Sequence, residues 1–146
     1  MKRTLLITAC VALCAATNVP AAGSDHGKAV FMGAGDIKWS DVPGFAGVQM
    51  APVQGDVARG AHHMFLKYKE GFVAPVHHHS PDHFVTVTAG TLVLTVDGKE
   101  HRLPPGSYFS FQGRTPHATR CEAGADCVIF LDVRGKWDVV PEKAKP

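Results

Sequence analysis

No window of this 146-residue sequence carries a helical period of apolar residues, and no apolar run approaches the ~20 residues that a membrane span needs. The first absence argues against a helical fold, the second against a helical membrane anchor. Net charge is scarce too. Fifteen Lys and Arg stand against thirteen Asp and Glu, and Lys2 and Arg3 fall in a segment expected to be removed. The remainder balances at thirteen of each sign. A nucleic-acid or anionic-membrane partner then has no electrostatic basis. Repeats and low-complexity linkers are also missing, and the length leaves room for one domain.

What is present begins with a targeting signature. Met1-Lys2-Arg3 is a short positive start, Thr4 to Ala16 is apolar, and Val19-Pro20-Ala21-Ala22 supplies small residues. This is the pattern of a secretory signal peptide, with cleavage expected after Ala21. The chain then divides into a signal peptide (1–21), an N-terminal arm (22–35), a folded domain (36–140) and a flexible tail (141–146). Export places the protein in the periplasm or outside the cell. Two of four cysteines, Cys121 and Cys127, remain after cleavage, and an even pair in an oxidising compartment reads as one disulfide. Closing so short a loop contributes about 2–3 kcal/mol.

Glycine and proline are abundant, at 15 and 10 residues, and they punctuate short apolar runs. The runs predict strands at 37–39, 48–52, 61–68, 73–79, 83–89, 91–96, 99–103, 107–111, 117–120 and 128–133. Asp97-Gly98 between two β-rich runs is a two-residue hairpin signal. Thr91 to Val96 alternates as a half-buried strand should. The expected fold class is all-β, a small sandwich or barrel.

Nine histidines in so short a chain are unusual, and they cluster at His77-His78-His79-Ser80-Pro81-Asp82-His83. Strand side chains alternate between faces, so His77 and His79 share one face and His78 points away. His83 has the same parity, and a later strand offers His117. Imidazoles converging on one interior point repel when protonated and need partners when neutral. A divalent metal meets both needs. His62, His63 and His101 read as surface or strand histidines.

The spacing Gly71-x5-His77-x-His79-x3-His83-x6-Gly90 resembles the first motif of the cupins, and Gly106 to His117 resembles the second. The resemblance implies a single jelly-roll β-barrel with a metal inside its mouth. The phrases Pro105-Gly106-Ser107-Tyr108 and Pro116-His117-Ala118-Thr119-Arg120-Cys121 look like the ChrR-like branch. That branch includes a zinc-binding anti-sigma domain and oxygenases that cleave small diketones or hydroxyacetophenones. Four positions depart from the family pattern. His83 replaces the usual Glu ligand, Gln112 and Arg114 replace a Pro and a Gly, and Cys121 stands where many members carry Asn. Four neutral imidazoles leave a divalent site at its full +2, which raises Lewis acidity and strengthens binding of an anionic oxygen.

The ligand set implied is His77, His79, His83 and His117, with His77, His79 and His117 sufficient alone. Asp82, Tyr108, Phe109 and Phe111 are expected in a second shell or substrate pocket. Asp82 reads equally as a turn residue, and parity adds Val85, Val87, Leu92 and Phe130 to the pocket. The cofactor expected is one divalent ion, Fe, Cu, Zn, Mn or Ni, with Cu and Zn favoured outside the cytoplasm. The function implied is a metal-dependent, dioxygenase-like enzyme acting on a small dicarbonyl or phenolic molecule. The alternative is a non-catalytic periplasmic metal or ligand binder. The apolar Val30-Phe31-Met32 of the arm could pair with a neighbouring barrel edge and give a homodimer.

Overall fold

The computed structural model describes residues 29–143. The signal-peptide expectation lies outside the described residues, as do the first half of the arm and the last three residues of the tail. No helix among the described residues is long and apolar enough to cross a membrane.

Eleven strands form two antiparallel sheets. In chain order they are β1 (Ser40–Asp41), β2 (Val48–Gly55), β3 (His62–Tyr68), β4 (Val73–His78), β5 (His83–Ala89) and β6 (Leu92–Val96). Then follow β7 (Lys99–Leu103), β8 (Tyr108–Phe111), β9 (His117–Cys121), β10 (Cys127–Val133) and β11 (Val140–Pro141). The six-stranded sheet runs β1-β2-β3-β10-β5-β8 and the five-stranded sheet runs β11-β4-β9-β6-β7. This is the jelly-roll sandwich expected of an all-β cupin-type chain.

Alternation in the sequence explains which side faces in. On β3, β5 and β10 every second residue is buried: Met64 and Leu66, Val85 and Val87, Ile129 and Leu131. Leu92 and Leu94 from the other sheet complete this core. The hairpin between β6 and β7 turns on Asp97 (φ 50°) and Gly98 (φ 76°), both left-handed as a type I′ turn requires. Cys121, at the end of β9, is bonded to Cys127, at the start of β10, and both are buried. The disulfide therefore closes one end of the interior. His117 lies at the other end of β9.

Three details differ from the expected pattern. Residues 37–39 form no strand. The chain instead makes a 3-10 turn at Ala34–Asp36, where the Asp36 carboxylate accepts from the Gly33 N–H, and pairing starts at Ser40. Phe130 faces outward and packs edge-on against Phe65, with ring centres 5.2 Å apart. Its neighbours Ile129 and Leu131 face in because Cys127 must reach Cys121 inside. The segment after β10 is no loose end. Arg134 N–H donates to the Asp82 carbonyl, Trp137 N–H to the Val57 carbonyl, and β11 pairs with β4.

Candidate metal centre

The histidine cluster is built by three short backbone features. On β4, Ala74 pairs with Thr119 and His77 with His117, so three steps on one strand match two on the other. The extra residue sits at Pro75-Val76, where proline already lacks a donor for the ladder. This bulge resets the alternation and turns His77 inward. His79 and His83 flank the Ser80-Pro81-Asp82 turn, and His117 opens β9. All four rings are buried.

Each Nδ1 faces a backbone carbonyl. His77 meets Pro75 at 2.8 Å, His83 meets Pro81 at 3.2 Å, His117 meets Thr115 at 2.9 Å, and His79 meets Asp138. A carbonyl only accepts, so Nδ1 carries the proton and Nε2 keeps a lone pair. That is the tautomer a metal takes, with the outer hydrogen bond already made. Ligand atoms of His77, His79 and His117 all lie within 4.8 Å of one another. The His83 ring stands edge-on to His79 at 5.0 Å, beside that trio. His78 points outward to Glu142, as parity predicts.

Burial dominates the electrostatics. It pushes His79 down to about 2 and His117 down to about 4, and it lowers His77 and His83 as well. The folded chain thus holds neutral rings with open lone pairs, which fits a metal ion far better than it fits protons. Without metal, these shifts have a signed consequence. Below the ordinary value of ~6.5 the unfolded chain takes up protons that the folded chain refuses, so stability falls as pH falls. The metal-free protein should lose melting temperature steadily from pH 6.5 to 4, by calorimetry, and less steeply in His79→Leu. A flat profile above pH 4.5 would contradict buried neutral rings.

Residues after the second motif hold His79 in place. Trp137 stacks on its ring at 3.9 Å and 21°. Asp138 accepts from its Nδ1 through the carbonyl and from the Ser80 N–H at 2.7 Å through the carboxylate. Arg114, in a left-handed conformation, donates its N–H to the His79 carbonyl at 2.8 Å. Phe111 stacks on His117 at 4.4 Å, and Phe109 lines the space inside. Asp82 accepts from the Gly113 N–H at 2.7 Å, tying the turn between His79 and His83 to the loop ahead of His117. Tyr108 is 61% exposed and points away from the cluster.

Two cavities meet here. An inner one of about 20 Å³ is lined by His79, His83, His117 and core residues. A larger one of about 100 Å³ opens beside His77 and His79. Tyr68, His79, Thr119 and Trp137 border both. Tyr68 stacks on Phe72 at 5.3 Å, and burial pushes its phenol well above the usual range, so it stays protonated. Sequence reasoning missed Tyr68, Trp137 and Asp138. The lone Trp in the polar stretch after β10 was the available signal for the last two.

An all-β sandwich with inward histidines at its mouth defines a metal-binding class of fold. Residues 64–134 match the cupin domain family, Cupin_2. No curated protein matches the chain. Among solved structures, KdgF from Halomonas sp. is 24% identical, with a TM-score of 0.61 over 73% of this chain and 94% of that one. The polyketide cyclase RemF from Streptomyces resistomycificus is 18% identical, with a TM-score of 0.68 over 81% and 88%. An RmlC-like cupin from Shewanella frigidimarina is 19% identical, with a TM-score of 0.58 over 71% and 89%. These likenesses establish the fold, and with the family match they support the cupin superfamily. Trp137 and Asp138 lie beyond the matched residues.

Proposed function

We propose that this chain is an exported mononuclear metalloenzyme of the ChrR-like cupins, oxygenase-like, acting on a small dicarbonyl or phenolic molecule. The observation that carries the reading is the set of three locked imidazoles, with ligand atoms within 4.8 Å of one another, beside an apolar cavity. His83 shares the lock and stands beside the trio as a weaker, outer donor. A bound divalent ion would supply Lewis acidity and, as iron, copper, manganese or nickel, electrons for dioxygen.

The chain's own contribution is positional. Trp137 and Phe111 cover the faces of His79 and His117 and keep water from them. Thr119 and Tyr68 offer hydroxyls at the boundary of the two cavities. Residues 1–21 act as the secretory signal, and the Cys121–Cys127 disulfide supports an oxidising destination. Neither cavity is lined by Asp, Glu, Lys or Arg. That lack of a charged base favours the second reading, a non-catalytic metal or ligand binder.

Dioxygen uptake separates the two. The protein loaded in turn with iron, copper, manganese and nickel should consume dioxygen with at least one of β-diketones, flavonols or hydroxyacetophenones. Retained zinc and no uptake across the panel would sink the oxygenase and leave the binder.

A further inference from the structure

We infer that the ligand of this site is an uncharged molecule with an apolar body and one oxygen-bearing head, and that the Tyr68 hydroxyl donates a hydrogen bond to that head. The inference rests on the reading of the histidine cluster as a metal centre, and it concerns what binds beside it.

The larger cavity has walls of Val42, Phe45, Leu66, Phe72, Val76 and Val139. Its polar lining is confined to His77, His79, Thr119, Tyr68 and Trp137. Among the described residues, no Asp, Glu, Lys or Arg lines it. Away from the metal, a charged group or a polyhydroxylated body would leave its solvation behind and find nothing in these walls to replace it. An unpaired buried charge is strongly penalised, and each unpaired hydroxyl costs about 1–3 kcal/mol. An apolar body gains about 25 cal/mol for each Å² it hides from water. The cavity is therefore selective by what it lacks.

Tyr68 supplies the directed contact. It borders both cavities, and the parallel Phe72 ring fixes its orientation. Its hydroxyl has no hydrogen-bond partner among the described residues. Nor is it sealed in. The buried side-chain polar atom left without a partner among them is Nε2 of His62, not the Tyr68 oxygen. The phenol is thus an unspent donor on a residue that borders both cavities. A head oxygen held there would receive a proton-bearing contact that an ordinary core tyrosine would have spent elsewhere.

The test is binding, measured by calorimetry on zinc-loaded mature protein, with zinc content assayed in the same sample. The probes are 2-hydroxyacetophenone, the same molecule bearing a ring carboxylate, and inorganic phosphate. The neutral probe should bind at least 30-fold more tightly than the carboxylated one, and phosphate should not compete. Tyr68→Phe should weaken the neutral probe by about 3- to 10-fold, the loss of one hydrogen bond. Val76→Lys, at a position 48% exposed and tolerant of change, should narrow the gap between the two aromatic probes. Equal or tighter binding of the carboxylated probe, or an unchanged affinity in Tyr68→Phe, overturns the inference. So does failure of every probe to bind a sample holding one zinc, while the metal centre stands. A sample that holds no zinc overturns both.

Discussion

Replacing His79 with alanine should cost the protein at least 10²- to 10³-fold in zinc affinity. Four-donor zinc sites bind with about 10–16 kcal/mol in total, so one donor accounts for about 3–4 kcal/mol. His77→Ala and His117→Ala should fall in the same range, because the three ligand atoms lie within 4.8 Å of one another. His79 should be the most costly. Its ring is stacked under Trp137, and its Nδ1 and carbonyl are tied to Asp138 and Arg114, so no neighbour can swing in to replace it. His83→Ala should cost only about tenfold, since the compact trio survives. Competition titration against a chromogenic chelator measures all four. Wild-type affinity in His79→Ala would remove the centre. A loss in His83→Ala as large as the others would make it an equal member of the set. His78→Ala, at a ring that faces Glu142 outside, should change nothing and guards against counting adventitious surface binding.

The contrast among these histidines shows how far the sequence could be read. Short apolar runs marked the strands and Gly and Pro the turns between them, but β6, read as alternating and half-buried, buries Leu92, Val93 and Leu94 in succession because both its faces are covered. The hairpin at Asp97-Gly98 needed only two residues to announce itself. Parity and spacing also brought His77, His79, His83 and His117 to one place, because each sits within a few residues of the feature that aims it. What escaped was whatever depends on distant parts of the chain. The bulge at Pro75-Val76 is defined by β9, more than forty residues further on. Phe130 turns outward because a disulfide sets the phase of its strand, a constraint that was present in Cys127 and left unused. Asp138 touches Ser80 across 58 positions, and no local pattern carries such a contact. Tyr68 looks like any strand aromatic until Phe72 and the two cavities surround it.

Gly113 gives the second large effect, and it links stability to the site. A Cβ added there would overlap the Ser80 carbonyl and approach the Asp82 carboxylate oxygen at 3.4 Å. Both contacts belong to the turn that carries His79 and His83. The Gly113 N–H is itself the donor to Asp82, at 2.7 Å, so the clash also pulls apart a charge-assisted hydrogen bond. Backbone overlap cannot be relieved by a rotamer change. The turn or the loop before His117 must move. Overpacking costs about 1–3 kcal/mol and a lost bond to a charged group about 1.5–3 kcal/mol. Gly113→Ala should therefore lose about 3 kcal/mol or more, and zinc affinity should drop about 10-fold as the two halves of the trio separate. Asp82→Ala removes the acceptor without the overlap and should cost roughly half as much. Gly98→Ala is the control. It sits at φ 76° with nothing within 4 Å of the added Cβ, so it pays only the left-handed penalty of about 1–2 kcal/mol and leaves zinc binding untouched. Denaturant melts and zinc titrations on the three variants decide the matter. If Gly113→Ala behaves like Gly98→Ala in both, the two ligand-bearing loops are not held together at this point.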